Sequence, residues 1–307
     1  MNQEQLPTAE NFNQGVVREF RANGGVVGGM FAGVPLALLT TAGAKTGRPR
    51  TNPAVQLRDG DRILVFASNA GQANNPGWYH NLLANPQVTL EIGEGGTVRT
   101  YATRAVPLEG EERDKFYGLQ AELDPAFHAY QAGTARRIPV VALYPLDLAA
   151  DPARSRAIGE QLARHHNDLR RELGALRTEI ENLLSGRPRS PGTEPALAAL
   201  RQEMFGHCLT FCDNLQLHHI REDGAFTAFE SRFPRLTPAV DKLRQEHRVV
   251  TEALARLRTL AENAATAAGA TEIAELRDEL ALLTAGLEDH FAYEEAQLVP
   301  VLDASGE

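Results

Sequence analysis

The stretch LEDHFAYEEAQLVPVLD, residues 287–303, places a histidine four residues before a glutamate in an apolar setting. On a helix, positions i and i+4 lie on one face, about 5–6 Å apart at Cβ. His290 and Glu294 are therefore spaced to share one metal ion, or to form an ordinary surface ion pair. The remainder of the chain decides between these two interpretations.

The second half of the chain is predicted to be helical throughout. From residue 155 onward Ala, Leu, Glu and Arg recur at helical spacing, and no stretch is typical of a strand. Breaks that contain Gly or Pro divide this half into four segments. Because the breaks are short, an antiparallel four-helix bundle is expected. The predicted helices cover residues 155–184, 196–230, 237–263 and 271–302.

The four predicted helices repeat in pairs. HxxxE occurs twice, on alternate helices, and a matching histidine occurs on each of the other two. Four imidazoles and two carboxylates in a bundle interior suit two adjacent metal ions, and the lack of thiolates favours iron or manganese over structural zinc. The alternative is that each histidine is an ordinary core residue. The candidate ligands are His166, His218, Glu222, His247, His290 and Glu294.

Other residues of this half are given structural roles. His219 is not taken as a candidate ligand. Aligning His219 with His290 would place Phe226 opposite Gln297, and this pair packs poorly. His207 precedes the repeated pattern by eleven residues, roughly 16 Å along a helix, which favours a core or supporting role. Two cysteines, at 208 and 212, share one predicted helix and are expected in the core, with a redox pair as the alternative.

This pattern resembles the hemerythrin-like (HHE cation-binding) domain over residues 155–303. The resemblance implies a non-haem di-iron site, held by the six candidate ligands, that binds oxygen or senses oxygen, iron or nitric oxide. Oxygen-carrying hemerythrins supply a fifth histidine one turn along the third helix. That position is Thr251 here, so a reactive or sensory site is expected instead of an oxygen carrier.

The first half of the chain is predicted to contain mainly strands. Short runs of β-branched and apolar residues are bounded by Gly, Pro, Asn and Asp. The Asp-Gly pair in RDGDR, residues 58–62, is a strong hairpin signal. A small barrel is therefore expected, with helices near 11–22, 76–84 and 110–122. The predicted strands cover residues 35–41, 51–58, 62–68, 88–92, 97–106 and 138–146.

Two segments of this half carry candidate binding residues. LLTTAGAKTGRPRTNPA, residues 38–54, places basic side chains among glycines and hydroxyls, and residues 20–58 contain no Asp or Glu. Such a segment is typical of an anion site or of a basic hairpin tip in water. ASNAGQANNPGWYHNLLANPQV, residues 67–88, pairs the single tryptophan with a tyrosine, either as a wall for a flat ring or as a core plug.

Together the two segments resemble the deazaflavin (F420)-dependent nitroreductase family over residues 12–147. The matching motifs are TTAGAKTGRPRTNP and PGWYHNLLANP, and the resemblance implies a split β-barrel that binds reduced F420. FMN is the alternative cofactor. Tyr130 alone remains of a family tyrosine series and is the expected catalytic residue. The resemblance places Lys45, Thr46, Arg48 and Arg50 near the phosphate and acidic tail, and Ser68, Asn69, Trp78 and Tyr79 near the ring.

Composition limits the classes of partner. Residues 1–150 carry 13 Lys and Arg against 14 Asp and Glu, and residues 151–307 carry 18 against 26. An acidic chain with no basic stripe argues against nucleic acid. The N-terminus does not resemble a signal peptide, and apolar runs are too short for a membrane span, so a cytoplasmic location is expected.

The sequence thus predicts an α+β chain of two domains, a split β-barrel over 1–150 and a four-helix bundle over 151–307. The leading function is an F420H2-dependent oxidoreductase that reduces a quinone, nitro compound or other activated acceptor. Its di-iron domain would react with or sense O2, peroxide or NO. In the alternative, the chain is an oxygen, NO or iron sensor or binding protein whose barrel only binds cofactor or gates a reductase. A homodimer and peripheral membrane contact through quinone use are further expectations.

Overall fold

A computed structural model describes residues 9–146, 151–185, 194–267 and 270–304. The first part forms a closed antiparallel barrel with strand order β1-β2-β3-β6-β5-β4. All six predicted strands are confirmed, and Gly60 and Asp61 make the turn of the predicted hairpin, between the paired residues Asp59 and Arg62. The predicted boundary at residue 150 lies outside the described residues. The strands are β1 Leu36–Ala42, β2 Pro49–Asp59, β3 Arg62–Phe66, β4 Gln87–Glu94, β5 Thr97–Pro107 and β6 Val140–Pro145.

Four helices accompany the strands. Three of them were predicted, and the fourth was not, because seven residues between Pro125 and Gly133 are too few to show helical periodicity. The first turn of the third helix carries Glu111 and Glu112, which suit the positive end of the helix dipole. The helices are α1 Ala9–Ala22, α2 Gly77–Ala84, α3 Gly110–Leu123 and α4 Ala126–Ala132.

Strand alternation gives the barrel two buried surfaces. In β1, Ala37 and Leu39 pack inside the barrel, whereas Leu36 and Leu38 pack in the apolar cluster that contains Phe20 of α1. Successive side chains of a strand point to opposite faces, so a strand covered on both faces is buried along its whole length and mostly apolar. This explains why every residue of β1 is buried.

The second part of the chain is a bundle of four long helices, as predicted. Asp151 caps the first of them, since its carboxylate accepts a hydrogen bond from the Ala153 amide at 2.9 Å. Within the described residues, no helix combines the length and apolarity that crossing a bilayer requires. The helices are α5 Pro152–Leu184, α6 Glu194–Arg232, α7 Thr237–Ala267 and α8 Ala270–Ala304.

The bundle core follows steps of three and four residues along each helix. On α5 the buried series is Leu169, Leu173, Leu176 and Ile180, and α8 packs along both α5 and α7. This spacing puts one apolar stripe on each helix, and each fully buried leucine contributes about 1.5–3 kcal/mol. The apolar core continues to Phe291, where the histidines begin.

Both cysteines lie in this core, as expected. Cys208 and Cys212 are buried and unbridged, and the Cys208 thiol donates to the Met204 sulfur at 3.7 Å. Burial raises the pKa of Cys208 to about 12 and that of Cys212 to about 11. A thiol with such a pKa stays protonated at neutral pH, so neither cysteine has the reactive thiolate of a redox pair.

Candidate functional site

The basic segment forms a tight turn between β1 and β2. The Gly43 amide donates to the Arg48 carbonyl at 2.8 Å, and the Gly43 carbonyl accepts from Thr46 and Gly47. A Cβ at Gly43 would lie 2.8 Å from the Thr46 hydroxyl oxygen and 3.3 Å from the Arg48 carbonyl oxygen, so a larger residue would require the Thr46 side chain to shift. Lys45 and Thr46 are exposed at its tip. The turn therefore presents a cation and a hydroxyl to solvent on a fixed backbone.

Asn81 joins this turn to the aromatic helix α2. Its Oδ1 accepts a hydrogen bond from the Ala44 amide at 3.0 Å, and its Nδ2 donates to the Thr41 hydroxyl at 3.1 Å. Trp78 and Tyr79 lie three and two residues earlier on the same helix. The two sequence motifs therefore lie together at one end of the barrel. Asn81 was not singled out from the sequence, although it belongs to the quoted aromatic motif.

The two aromatic residues of α2 differ in burial. Trp78 is 6% exposed and packs inside the barrel, which favours the core-plug interpretation for it. Tyr79 is half-buried at the edge of the same cluster, with its ring centroid 6.3 Å from that of Trp78. Partial burial raises the pKa of Tyr79, which keeps its hydroxyl protonated. Tyr79 is therefore the member of the pair that solvent can reach.

A second loop, residues 67–75, is held by one arginine. Arg136 donates to the carbonyls of Ala67 at 3.0 Å, Ser68 at 2.5 Å and Gln72 at 2.8 Å, and to Oδ1 of Asn75 at 2.6 Å. Five donors in a planar fork suit such an array of oxygens. Arg136 therefore fixes the loop on which two of the predicted ring-binding residues lie.

This loop carries backbone strain and contacts Tyr130. Asn69 and Ala70 have φ of 47° and 49°, a region that costs non-glycine residues of order 1 kcal/mol or more. A Cβ at Gly71 would lie 2.9 Å from the backbone of Tyr130. Glycine therefore lets the loop that carries Ser68 and Asn69 pack directly against the Tyr130 backbone of α4.

The histidines of the bundle form two adjacent groups. In each group one ligand atom per residue lies within 4.8 Å of the others. The rings of His218 and His219 are 5.3 Å apart, so these neighbouring residues link the groups. One group contains His219, His247 and His290, and the other contains His166, His218, Glu222 and Glu294. The structure thus brings all six candidate ligands together, although their role as ligands stays a prediction.

Three other histidines differ in their surroundings. His219, which the register argument set aside, is 3% exposed and stacks on His247 with ring centroids 4.3 Å apart. The structure buries both successive histidines of α6, which the alignment of the repeat did not anticipate. His207 is exposed beside Glu179 at 3.2 Å, so its predicted core role is wrong. His165 is half-buried, with its ring 4.5 Å from that of His218.

Carboxylates outside the groups orient two of the rings. His166 Nδ1 lies 2.8 Å from Glu295 Oε1, which also accepts from Arg170 at 3.1 Å. His290 Nδ1 lies 2.9 Å from Glu246 Oε2. A hydrogen bond at Nδ1 fixes the ring and leaves Nε2 to act as a ligand, which is the usual arrangement at metal sites. Neither glutamate was singled out from the sequence, since the contacts join different helices.

The chemistry of the groups fits metal ions. Burial, followed by the neighbouring imidazoles, lowers the pKa of His219 well below its usual value, and burial also lowers the pKa of His290. Neutral imidazole is the form that binds metal. Among the described residues, neither nitrogen of His219 and neither carboxylate oxygen of Glu294 has a hydrogen-bond partner. A cation bound between the helices would satisfy these buried atoms.

Comparison with known proteins identifies both parts. Residues 13–145 match the model of F420H(2)-dependent quinone reductases. The F420H(2)-dependent quinone reductase of Mycobacterium tuberculosis is 38% identical over 128 residues, 40% of this chain and 83% of that protein. The chain belongs to the F420H(2)-dependent quinone reductase family. Residues 157–303 match the hemerythrin HHE cation binding domain, which confirms the expected fusion.

A solved structure is similar in sequence to part of this chain. The F420-H2 dependent reductase FDR-A is 37% identical, and it aligns with a TM-score of 0.32 over 36% of this chain and 93% of that one. The family is one of oxidoreductases, so the expected enzyme class is confirmed.

Proposed function

We propose that the chain is an F420H2-dependent reductase of quinones, and that its helical bundle holds two iron ions which react with or sense O2, peroxide or NO. The observation that carries the first part is the Asn81 bridge, which fixes the basic turn beside the aromatic helix. A cofactor that has an anionic tail and a flat ring needs basic residues and aromatic residues no farther apart than the cofactor is long. Family membership supports F420 over the alternative, FMN.

The residues of the turn bind and orient the cofactor in this proposal. Lys45, Arg48 and Arg50 neutralise the phosphate and acidic tail, and Thr46 donates a hydrogen bond beside them. Ser68, Asn69 and Tyr79 border the ring. Bound F420H2 supplies a hydride to the acceptor, and the protein's part is to hold the two reactants in contact.

Tyr130 is the proposed catalytic residue. It lies on α4 against the strained loop, and its ring is 5.4 Å from that of Phe127. Its hydroxyl is proposed to donate a hydrogen bond to the acceptor oxygen, where negative charge develops as a hydride arrives. Quinones present such an oxygen, and nitro compounds present one too. The retention of a single tyrosine from the expected series favours the quinone.

Turnover of F420H2 tests this proposal. Purified protein is mixed with F420H2 and a soluble quinone, and oxidised deazaflavin is followed by absorbance. We expect saturable oxidation, with a KM for F420H2 about tenfold or more higher in Asn81→Ala, because two hydrogen bonds of about 1 kcal/mol each are lost. Asn85→Ala is the matched control on the same segment. Absence of F420-dependent turnover with any quinone or nitro compound would favour a barrel that only binds cofactor.

The bundle's role is proposed from its donor set. The four predicted histidines supply neutral imidazoles and the two predicted glutamates supply anionic carboxylates, and this set of donors suits two iron ions. Bound iron would supply one-electron chemistry toward small oxidants. Metal analysis and reaction with NO or O2 test this part. We expect metal-depleted and iron-loaded protein to reduce quinone equally, because deazaflavin favours hydride transfer and iron takes electrons singly.

A sensing role is the second candidate function. If oxidant binding at iron gates the reductase, quinone turnover by iron-loaded protein will change when NO is added, and metal-depleted protein will not respond. A homodimer, contact with a membrane surface and a cytoplasmic location stay predictions.

A further inference from the structure

The group of three imidazoles combines three different helices. His219 comes from α6, His247 from α7 and His290 from α8, and all three side chains are buried. Ring centroids are 4.3 Å apart for His219 and His247, 5.2 Å for His219 and His290, and 5.0 Å for His247 and His290. Three nitrogens that all lie within 4.8 Å of one another could hold one ion between them.

His219 has no structural role that would explain its burial. Both of its ring nitrogens are buried without a hydrogen-bond partner among the described residues. Burying such a group unsatisfied costs about 1–3 kcal/mol. By contrast, His290 has a glutamate at Nδ1. A phenyl ring would stack on His247 equally well, so packing alone does not account for an imidazole at this position.

Helix α7, the third of the bundle, contains a single histidine, His247. Thr251, one turn after His247, is exposed, and its hydroxyl donates to the His247 carbonyl at 2.8 Å. On the second helix, two successive histidines lie about 100° apart. The ring centroid of His218 therefore lies 5.2 Å from that of His166 in one group, while the ring centroid of His219 lies 5.2 Å from that of His290 in the other.

We infer that His219 is a metal ligand. It is the third imidazole bound to the ion that His247 and His290 hold, and it comes from α6 instead of α7. This rests on the proposed two-metal function. The two ions then differ in their donors. One receives three neutral imidazoles, and the other receives two imidazoles and carboxylate oxygens.

Cobalt binding by the full chain tests the assignment. Demetallated wild type is titrated with Co²⁺ alone, and bound ion is followed by its visible absorption and by metal content. We expect two ions per chain for wild type. In His219→Ala we expect one ion to stay tightly bound and the other to bind at least about tenfold more weakly. Added imidazole should restore much of this loss.

Two variants separate ligation from folding. His219→Phe keeps an aromatic ring that can stack on His247 but has no nitrogen, so it should retain helicity by circular dichroism and lose the same ion. His207→Ala removes an exposed imidazole from the same helix and should bind like wild type. Two ions bound with wild-type affinity by folded His219→Phe would overturn the assignment. Failure of wild type to bind Co²⁺ would instead overturn the proposed metal centre itself.

Discussion

The barrel and the bundle treat buried polar side chains in different ways. In the barrel, Arg113 is buried, but its Nε donates to the Ile138 carbonyl at 2.8 Å and its Nη2 to Gln131 at 2.9 Å. In the bundle centre, His219 and Glu294 are equally buried and have no hydrogen-bond partner among the described residues. The barrel satisfies this group internally, whereas the groups in the bundle centre would be satisfied by the proposed cation.

This difference shows where each unit's stability comes from. Buried groups with partners stabilise a fold that needs no ligand, although Gln56 Oε1 is an exception in the barrel. Buried groups without partners lower stability until a ligand binds them. Metal, pH and substitution should therefore affect the two units unequally.

Metal loading is expected to have the largest effect. At free ion about 1,000-fold above Kd, binding should add roughly 4 kcal/mol to the unfolding free energy of the bundle and little to that of the barrel. Far-ultraviolet circular dichroism reports mainly the helices, and fluorescence of Trp78, the only tryptophan, reports the barrel. Equal shifts of both transitions on loading would contradict the comparison.

Acid is expected to destabilise the metal-free bundle. The folded pKa values of His219 and His290 lie below the ordinary value of 6.5, so the unfolded chain binds more protons below that pH. Stability should therefore fall as pH drops below 6.5, by roughly 1.4 kcal/mol per pH unit for each histidine. Urea unfolding at pH 7.5, 6.0 and 5.0, about the range where histidine titrates, measures this. A urea midpoint of the bundle that does not change with pH would contradict the contrast between the bundle and the barrel.

Removal of one orienting carboxylate should weaken metal binding. Glu246→Gln replaces the group 2.9 Å from His290 Nδ1, and loss of such a partner lowers metal affinity about 10–100-fold. The Co²⁺ titration described for His219 measures the change. Glu252→Gln, at an exposed position on the same helix, is the control and should match wild type. Equal affinities for both variants would show that Glu246 does not orient the ligand.

The smallest expected effect concerns the barrel loop. Arg136→Met removes four hydrogen bonds to residues 67–75 and should raise KM for F420H2 about tenfold, because misplaced binding residues act through geometry. Arg137→Met is the control. That neighbour contacts Asp114 and the Gly110 carbonyl, so cofactor binding should be unchanged. Identical kinetics of both variants would remove Arg136 from the proposed site.

Periodicity sufficed for most of the fold. The strands and long helices follow from alternation and from three- and four-residue steps, which are local properties of the chain. The short helix α4 was not predicted because about two turns are too few to show a period. The paired HxxxE pattern located the imidazole cluster, since two residues four apart on a helix must share a face.

Contacts between different helices and strands could not be predicted from the sequence. Asn81, Arg136 and Glu246 act across distances of tens of residues, and nothing in their own neighbourhood distinguishes them. His219 was set aside for a different reason. Its neighbour His218 matched the repeat, and aligning His219 instead placed Phe226 opposite Gln297. Only the relative rotation of four helices shows that successive histidines on α6 serve separate groups.

The placement of sulfur has a consequence for oxidative damage. Among the sulfur atoms that the structure describes, Met30 is 75% exposed, whereas Met204, Cys208 and Cys212 are at most 1% exposed. Peroxide attacks exposed thioethers and thiolates first. If the bundle reacts with oxidants as proposed, sulfoxide would accumulate at Met30, on an exposed 3-10 turn where sulfoxide reductases can repair it, while the sulfur atoms that pack the helices stay intact through many turnovers.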